Sequence, residues 1–405
     1  MAGPKVARSQ ASELAALLDS AEIRRLIAEL EETRWTGRPG FPVRTMTGLA
    51  LAKTLWSLPT WSKTVSLVRE HWAMQRALGC EGNPPSQWAA YRFAAKLREN
   101  NEAVQRCIDG VVEGLRDRLP TYGRDLAVDA SDLVAYGNGQ RYTPFGEERK
   151  RFSDPDASWG HRSAVSTRKG GGFYGYKLHL AVDVATDLPV AWRVETAKSS
   201  ESLFSAPLID TARRRGLMAD TAAADMGYDI TRVYEEFAER DCLPIIPLRR
   251  TVGVKRGDHL PPSCSHGTWT FAGSDRKRGA SKWRCPTGEC KPASTWVKAD
   301  RKHPLIPRET KRFKDAYRKR GAVEREFWRL KTCWGLGPLR VRGLDRVRLH
   351  ADLTILTKLA CALARVRAAS PSGSRGSSRT GSRPAARRSR TADRADRLRA
   401  PPPIS

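Results

Sequence analysis

The stretch that most constrains this chain is Tyr317 to Lys331, read as Y-R-K-R-G-A-V-E-R-E-F-W-R-L-K. It lacks proline, holds one glycine, and is otherwise built of residues that favour helix. On a helical wheel Tyr317, Arg320, Glu324 and Lys331 fall on one face, because their offsets are three, four and seven. Val323, Phe327, Leu330 and Trp334 make a second, apolar stripe beside it. A helix of this kind must bury the apolar stripe against another layer, which leaves Glu324 at the edge of the packing among basic and phenolic groups. An ordinary amphipathic helix with a solvated charged face has the same pattern, so the reading depends on what else the chain offers.

Two further acidic residues sit in matching settings. Asp129 ends the run Asp125-Leu126-Ala127-Val128-Asp129, which predicts a short strand with a carboxylate at its exit. Asp225 follows Thr221-Ala222-Ala223-Ala224 and precedes Met226-Gly227-Tyr228-Asp229, a second short strand that turns at a glycine. Two strand-borne aspartates and a helix-borne glutamate are what a metal-dependent phosphodiester-cutting site requires. Hard divalent cations take oxygen ligands, and two of them about 4 Å apart serve both the attacking and the leaving oxygen.

The spacing Tyr-x-x-Arg-x-x-x-Glu-x-x-x-x-x-x-Lys, met by Tyr317, Arg320, Glu324 and Lys331, resembles the signature of bacterial insertion-sequence transposases of the DDE class. "AVDAS" around Asp129 and "ADMGYD" around Asp225 resemble that family's first and second catalytic Asp segments, and the likeness runs from about residue 40 to 362. It implies a ribonuclease-H-like α/β catalytic domain, a mixed sheet flanked by helices, over 121–366. Asp129, Asp225 and Glu324 would be its catalytic triad and would bind two Mg2+ or Mn2+ ions. It further implies that Tyr317, Arg320 and Lys331 contact transposon-end DNA, and Lys177 resembles a lysine common at its place in the family. The implied partners are duplex DNA with terminal inverted repeats and target DNA, met by a homodimer in the synaptic complex. One departure is visible: where relatives carry a His-Asp pair, this chain has Ser200-Glu201, so Glu201 is not counted as catalytic. A stand-alone nuclease or resolvase of the same fold, or a non-catalytic DNA-binding regulator, are the alternatives.

Charge agrees with a polyanionic partner. Of 405 residues, 72 are Lys or Arg and 44 are Asp or Glu, a formal net charge of +28. Such an excess speaks for phosphate contacts and counterion release rather than for any fold. No apolar run reaches the roughly 18 residues of a membrane span. The first residues carry no signal-peptide core, so a cytoplasmic, nucleoid-associated location is expected. Eight cysteines over this length are too sparse for a disulfide scaffold.

Residues 1–120 read as a helical region. Leucines and isoleucines recur at three- and four-residue intervals over Glu13–Glu32, followed by helices over Met46–Leu58, Trp61–Leu78 and Gln87–Glu99, the last capped by Ser86. Basic outer faces make this either a DNA-end-binding module of helix-turn-helix kind or a cap that packs on the catalytic core; Arg92, Lys96 and Arg98 are the candidate contacts. Between Gly137 and Gly172 a long polar, basic segment is expected to be a mobile loop. Phe173–Val182 and Leu188–Val194 then read as strands of an antiparallel meander with the Asp129 strand. His179 reads as structural, and Asp132, Asp183 and Asp229 as turn or capping residues.

An insertion over 251–310 interrupts the pattern before the last catalytic helix. It is basic and tryptophan-containing, which suits distorted DNA as well as core packing. Cys264-x-His266 and Cys285-x4-Cys290 supply four donors of the type that zinc takes. The spacings match no common finger, and a metal-free β-rich insertion is the alternative. Leu349–Val366 predicts a helix that closes the core. Residues 367–405 are Ser, Arg, Gly, Pro and Ala with little to bury, expected to be a disordered basic tail.

Overall fold

The computed structural model describes residues 5–33, 40–162, 169–249 and 259–369. The expected disordered tail lies outside them, apart from its first three residues, as does the start of the insertion.

Among the described residues seven helices come first: α1 (Lys5–Leu18), α2 (Ala21–Glu32), α3 (Val43–Leu55), α4 (Trp61–Glu70), α5 (Trp72–Leu78), α6 (Gln87–Glu99) and α7 (Asn101–Arg116). Thr60 and Ser86 cap α4 and α6 by accepting from Lys63 N and Ala89 N. The single helix expected over Trp61–Leu78 is two, because His71 is extended (φ −117°, ψ 102°) and turns the chain between them. The helix before it stops at Leu55, ahead of Pro59, where Ser57 takes φ 52°.

A mixed sheet follows. β1 (Asp125–Val134), β2 (Ser158–Arg162), β3 (Gly171–Asp183) and β4 (Pro189–Thr196) are antiparallel, with β3 between β1 and the β2/β4 edge. The chain then runs through α8 (Ser205–Arg214) to β5 (Thr221–Ala223), α9 (Thr231–Glu239) and β6 (Leu243–Ile245), which extend the sheet parallel to β1. The order β4-β3-β1-β5-β6, antiparallel on one side of β1 and parallel on the other, is the ribonuclease-H-like arrangement. β3 is buried on both faces over most of its length, so its alternation does not separate a wet side from a dry one.

The segment expected to be a mobile loop is partly built into this sheet. β2 pairs with β3, and the fully buried Asp154 accepts from Tyr176 Oη (2.8 Å) and Gly343 N (3.1 Å). A buried carboxylate with two donors pins the chain more firmly than its polar composition suggests. Residues 163–168 of that segment lie outside the described ones.

The insertion is β-rich: a short hairpin of β7 (Ser263–Cys264) and β8 (Gly267–Thr268), then a three-stranded sheet of β9 (Thr270–Asp275), β10 (Ala280–Arg284) and β11 (Ser294–Lys298). The chain returns through α10 (Lys311–Arg318) and α11 (Gly321–Thr332) and ends in α12 (Leu344–Ala369). The expected continuous helix over Tyr317–Lys331 is therefore broken. Lys319, Arg320, Ala322 and Val323 donate to carbonyls three residues back, a tightened turn around the low-propensity Gly321. One hydrophobic core joins α1–α7, the sheet, α11 and α12. Val323, Phe327, Leu330 and Trp334 are buried in it, as the apolar stripe requires.

Candidate catalytic carboxylate site

β1 and β5 are in parallel register, Asp125 beside Thr221 and Ala127 beside Ala223. Continued two residues further, that register sets Asp129 level with Asp225. Asp129 is thus mid-strand rather than at a strand exit, since β1 runs on to Val134 while β5 stops at Ala223. Asp225 begins the turn after β5, its Oδ1 accepting from Gly227 N at 2.8 Å. Glu324 enters from the first turn of α11.

Arg320 joins two of the three. Its Nη1 donates to Asp129 Oδ2 at 2.9 Å, and its Nη2 donates to Glu324 Oε1. Asp129 and Arg320 are largely withdrawn from water, whereas Glu324 is exposed. Burial and the charge of Asp225 push the Asp129 carboxyl up to about 7, against the pull of Arg320 and the Ala130 amide. Acidic charge is therefore concentrated here, and the donors that Asp129, Asp225 and Glu324 offer are hard oxygens. That donor set fits Mg2+ or Mn2+ and does not suit a soft metal.

Glu201 borders the same site. Its charge also pushes Asp129 up, and its Oε1 accepts from Lys177 Nζ at 2.8 Å. Lys177 is thus held by a carboxylate close to Asp129. Lys331 Nζ donates to Ser131 Oγ (2.7 Å) and to the Asp132 carbonyl (2.5 Å), which fastens α11 along β1. Asp132 also pairs with Arg162 of β2 at 3.1 Å.

Tyr317 does not share a helix with Glu324. It sits on α10, its ring stacked on Phe313 at 6.3 Å and packed against the small cluster of Ala223, Ile245, Ile306 and Phe313. Arg320 still lies 5.9 Å from the centre of its ring. His179 is buried, with neither ring nitrogen hydrogen-bonded, and lies 4.2 Å from the Phe204 ring. Burial pushes it down to about 3, so it is a neutral packing residue, in accord with its structural reading. Asp183 and Asp229 also do structural duty: Asp183 accepts from Gly123 N and Thr186, and Asp229 holds the insertion through Arg301 Nη2 at 2.8 Å.

Sequence reasoning passed over Trp328. It is 60 % exposed one helical turn after Glu324 and ahead of Lys331 on the same face of α11. The i, i+4, i+7 spacing of Glu324, Trp328 and Lys331 carried that signal.

Arg92, Lys96 and Arg98 stand on α6, outside the sheet. Arg92 is exposed beside Tyr91 and Trp88, themselves 47 % and 65 % exposed with rings 6.0 Å apart. Arg98 instead folds back onto its own helix, donating to the Ala94 carbonyl at 3.2 Å. Cys264, His266, Cys285 and Cys290 converge, their donor atoms all within 4.8 Å of one another. Among the described residues, no helix is long and apolar enough to cross a membrane.

The family described as "Transposase DDE domain" matches residues 122–357, more than half of the chain. None of the curated proteins matches it. Among solved structures, a cryo-EM structure of the piggyBac transposase synaptic complex with hairpin DNA is similar at 12 % identity and a TM-score of 0.40, covering 89 % of this chain and 76 % of that one.

Proposed function

Because this chain belongs to the family of transposases with a DDE domain, we propose that Asp129, Asp225 and Glu324 are its catalytic triad and that it cuts and joins DNA at terminal inverted repeats. Transposases of this class use divalent metal ions. Bound by these three carboxylates, two Mg2+ or Mn2+ ions would activate the attacking oxygen and stabilise the leaving one. The observation that carries the reading is Arg320, which bridges Asp129 and Glu324 with one guanidinium while the charge of Asp225 bears on Asp129. Carboxylates from a strand, from the turn that ends a second strand and from a helix thus meet in one place.

The remaining work is positioning, which dominates phosphoryl transfer. Arg320 offers a planar fork to a phosphate, and Lys331 and Lys177 bring point charges beside the triad. Exposed Trp328 provides a stacking surface for a base next to the scissile bond, while Tyr317 packs on Phe313 beside β5 and β6. The helical region 1–120 binds the transposon end through the face of α6 that carries Trp88, Tyr91 and Arg92. Arg98 contributes to helix integrity rather than to DNA contact. The catalytic domain spans 121–366, with the insertion 251–310 presenting Trp296 between Arg278 and Lys282 as a further basic aromatic surface. Two copies pair the two ends of the element as a homodimer.

Cleavage of a labelled duplex carrying the element's terminal repeat tests this reading. With Mg2+, the intact protein cuts at the repeat boundary. Glu324→Gln shifts the same duplex in a gel but leaves it uncut, a loss of at least about 100-fold by the scale of lost transition-state stabilisation. Equal cutting by the variant removes Glu324 from the site.

A further inference from the structure

Among its described residues the insertion has almost no core of its own. Over 263–298 the buried residues are Ala280, Ser281, Trp283 and Cys285. A β-sheet module this small needs a staple to hold its shape.

Four donors meet where one is needed. Cys264 and His266 lie on the β7–β8 hairpin, and Cys285 and Cys290 bracket the turn that follows β10. Cys264 Sγ is 3.8 Å from Cys285 Sγ, and His266 Nδ1 is 3.5 Å from Cys290 Sγ, 3.8 Å from Cys285 Sγ and 3.9 Å from Cys264 Sγ. Zinc–sulfur and zinc–nitrogen bonds of about 2.3 and 2.0 Å put the edges of a tetrahedron at about 3.8 Å between sulfurs and about 3.5 Å between sulfur and nitrogen. The Cys264–Cys285 and His266–Cys290 spacings match these edges, and the other two sulfur–nitrogen spacings are longer by 0.3–0.4 Å, within the ~0.5 Å that a side-chain adjustment closes on metal binding. The outer ring nitrogen adds a second, independent sign: His266 Nε2 is 3.2 Å from Glu289 Oε2. A carboxylate there holds the proton on Nε2 and turns the lone pair of Nδ1 toward the sulfurs, as metal-binding histidines require.

We propose that Cys264, His266, Cys285 and Cys290 bind one structural zinc ion, Cys3His in kind, that closes the insertion. All four tetrahedral positions are filled by protein, so the site is structural and has no open position for chemistry. The module it closes is fastened to the core through Asp229, four residues beyond Asp225. Arg301 reaches Asp229 Oδ2 at 2.8 Å, and Arg308 donates to Tyr234 Oη and to the Ile246 carbonyl.

Elemental analysis of the full chain, purified without chelator from zinc-supplemented cells, tests the proposal. The expected result is close to one zinc per chain, retained in Glu324→Gln and in Cys290→His, and lost in Cys264→Ser and Cys290→Ser. Retention in Glu324→Gln separates this site from the carboxylate site, whatever the outcome for cleavage. If the serine variants are insoluble, cobalt(II) exchanged into the intact protein decides: tetrahedral thiolate coordination gives strong visible bands and thiolate charge transfer in the near ultraviolet. A chain purified with no zinc and no such cobalt spectrum, zinc unchanged in the serine variants, or a Cys264–Cys285 disulfide found by mass spectrometry each overturns it.

Discussion

At the scale of single residues, Arg320 is the group on which the site's electrostatics turn. It is bonded to both Asp129 and Glu324 and lies within reach of the charge of Asp225. Removing it leaves a buried carboxylate without its charged donor, which costs about 1–3 kcal/mol. Arg320→Ala is therefore expected to melt below the intact protein in chelator. Added Mg2+ should raise its melting temperature more than that of the intact protein, because ligand binding to the folded state stabilises it by mass action. Equal Mg2+ shifts in both proteins would show that the guanidinium and the metal do not share these carboxylates. Tyr317 teaches the opposite lesson. Its spacing from Glu324 is that of one helical face, yet a tightened turn at Gly321 puts it on a different helix, and it reaches the site through Arg320, 5.9 Å from its ring, rather than along a shared face.

At the scale of elements, α11 is held in place by charge as much as by its apolar stripe. Glu326 is fully buried, and its carboxylate accepts from Lys358 of α12. On the other side, Arg325 and Arg329 grip Asp187, at φ 58° in the β3–β4 turn, at 2.6 and 2.8 Å. Burial pushes Glu326 up to about 7 and lowers Lys358, so each is tolerable only with the other present. Glu326→Leu alone should cost about 3–5 kcal/mol, while Glu326→Leu with Lys358→Met should recover most of that loss in denaturant titrations. Additive losses would mean that the pair is not coupled. The sequence made the apolar stripe, the meander and the Asp225 turn readable, because period and turn chemistry are local. Glu326, Asp154 and Asp187 were not readable: each is an acid whose partner lies on another element, and composition marks such residues as surface. β2 was hidden for a similar reason, since its pairing with β3 overrides a polar, glycine-rich setting.

At the scale of the whole molecule, Asp352 ties three layers together. From α12 it accepts from Trp192 Nε1 of β4 (2.7 Å) and from Gln105 Nε2 of α7 (3.0 Å). Burial pushes its carboxyl up to about 6 from an ordinary 3.8, against the pull of these donors. The folded chain then keeps a proton that the unfolded chain has lost. Stability attributable to Asp352 is highest at low pH, falls as pH rises from about 4 to about 6, and is flat above, a decline of about 3 kcal/mol at most. Asp352→Asn should remove that part of the pH dependence, whatever its absolute stability, when both proteins are unfolded in urea at pH 4, 5, 6 and 7. An unchanged slope would assign the titration elsewhere. The insertion sits differently in this architecture. Its return segment is bound back to its point of departure, Arg308 Nε donating to the Ile246 carbonyl at 3.0 Å just past β6. Whatever lies between is an excursion that starts and finishes at one place, and lengthening such an excursion costs only about 0.6 kcal/mol per doubling. A longer or shorter module should therefore cost the fold little, provided that the ties from Arg301 and Arg308 back to the core are kept.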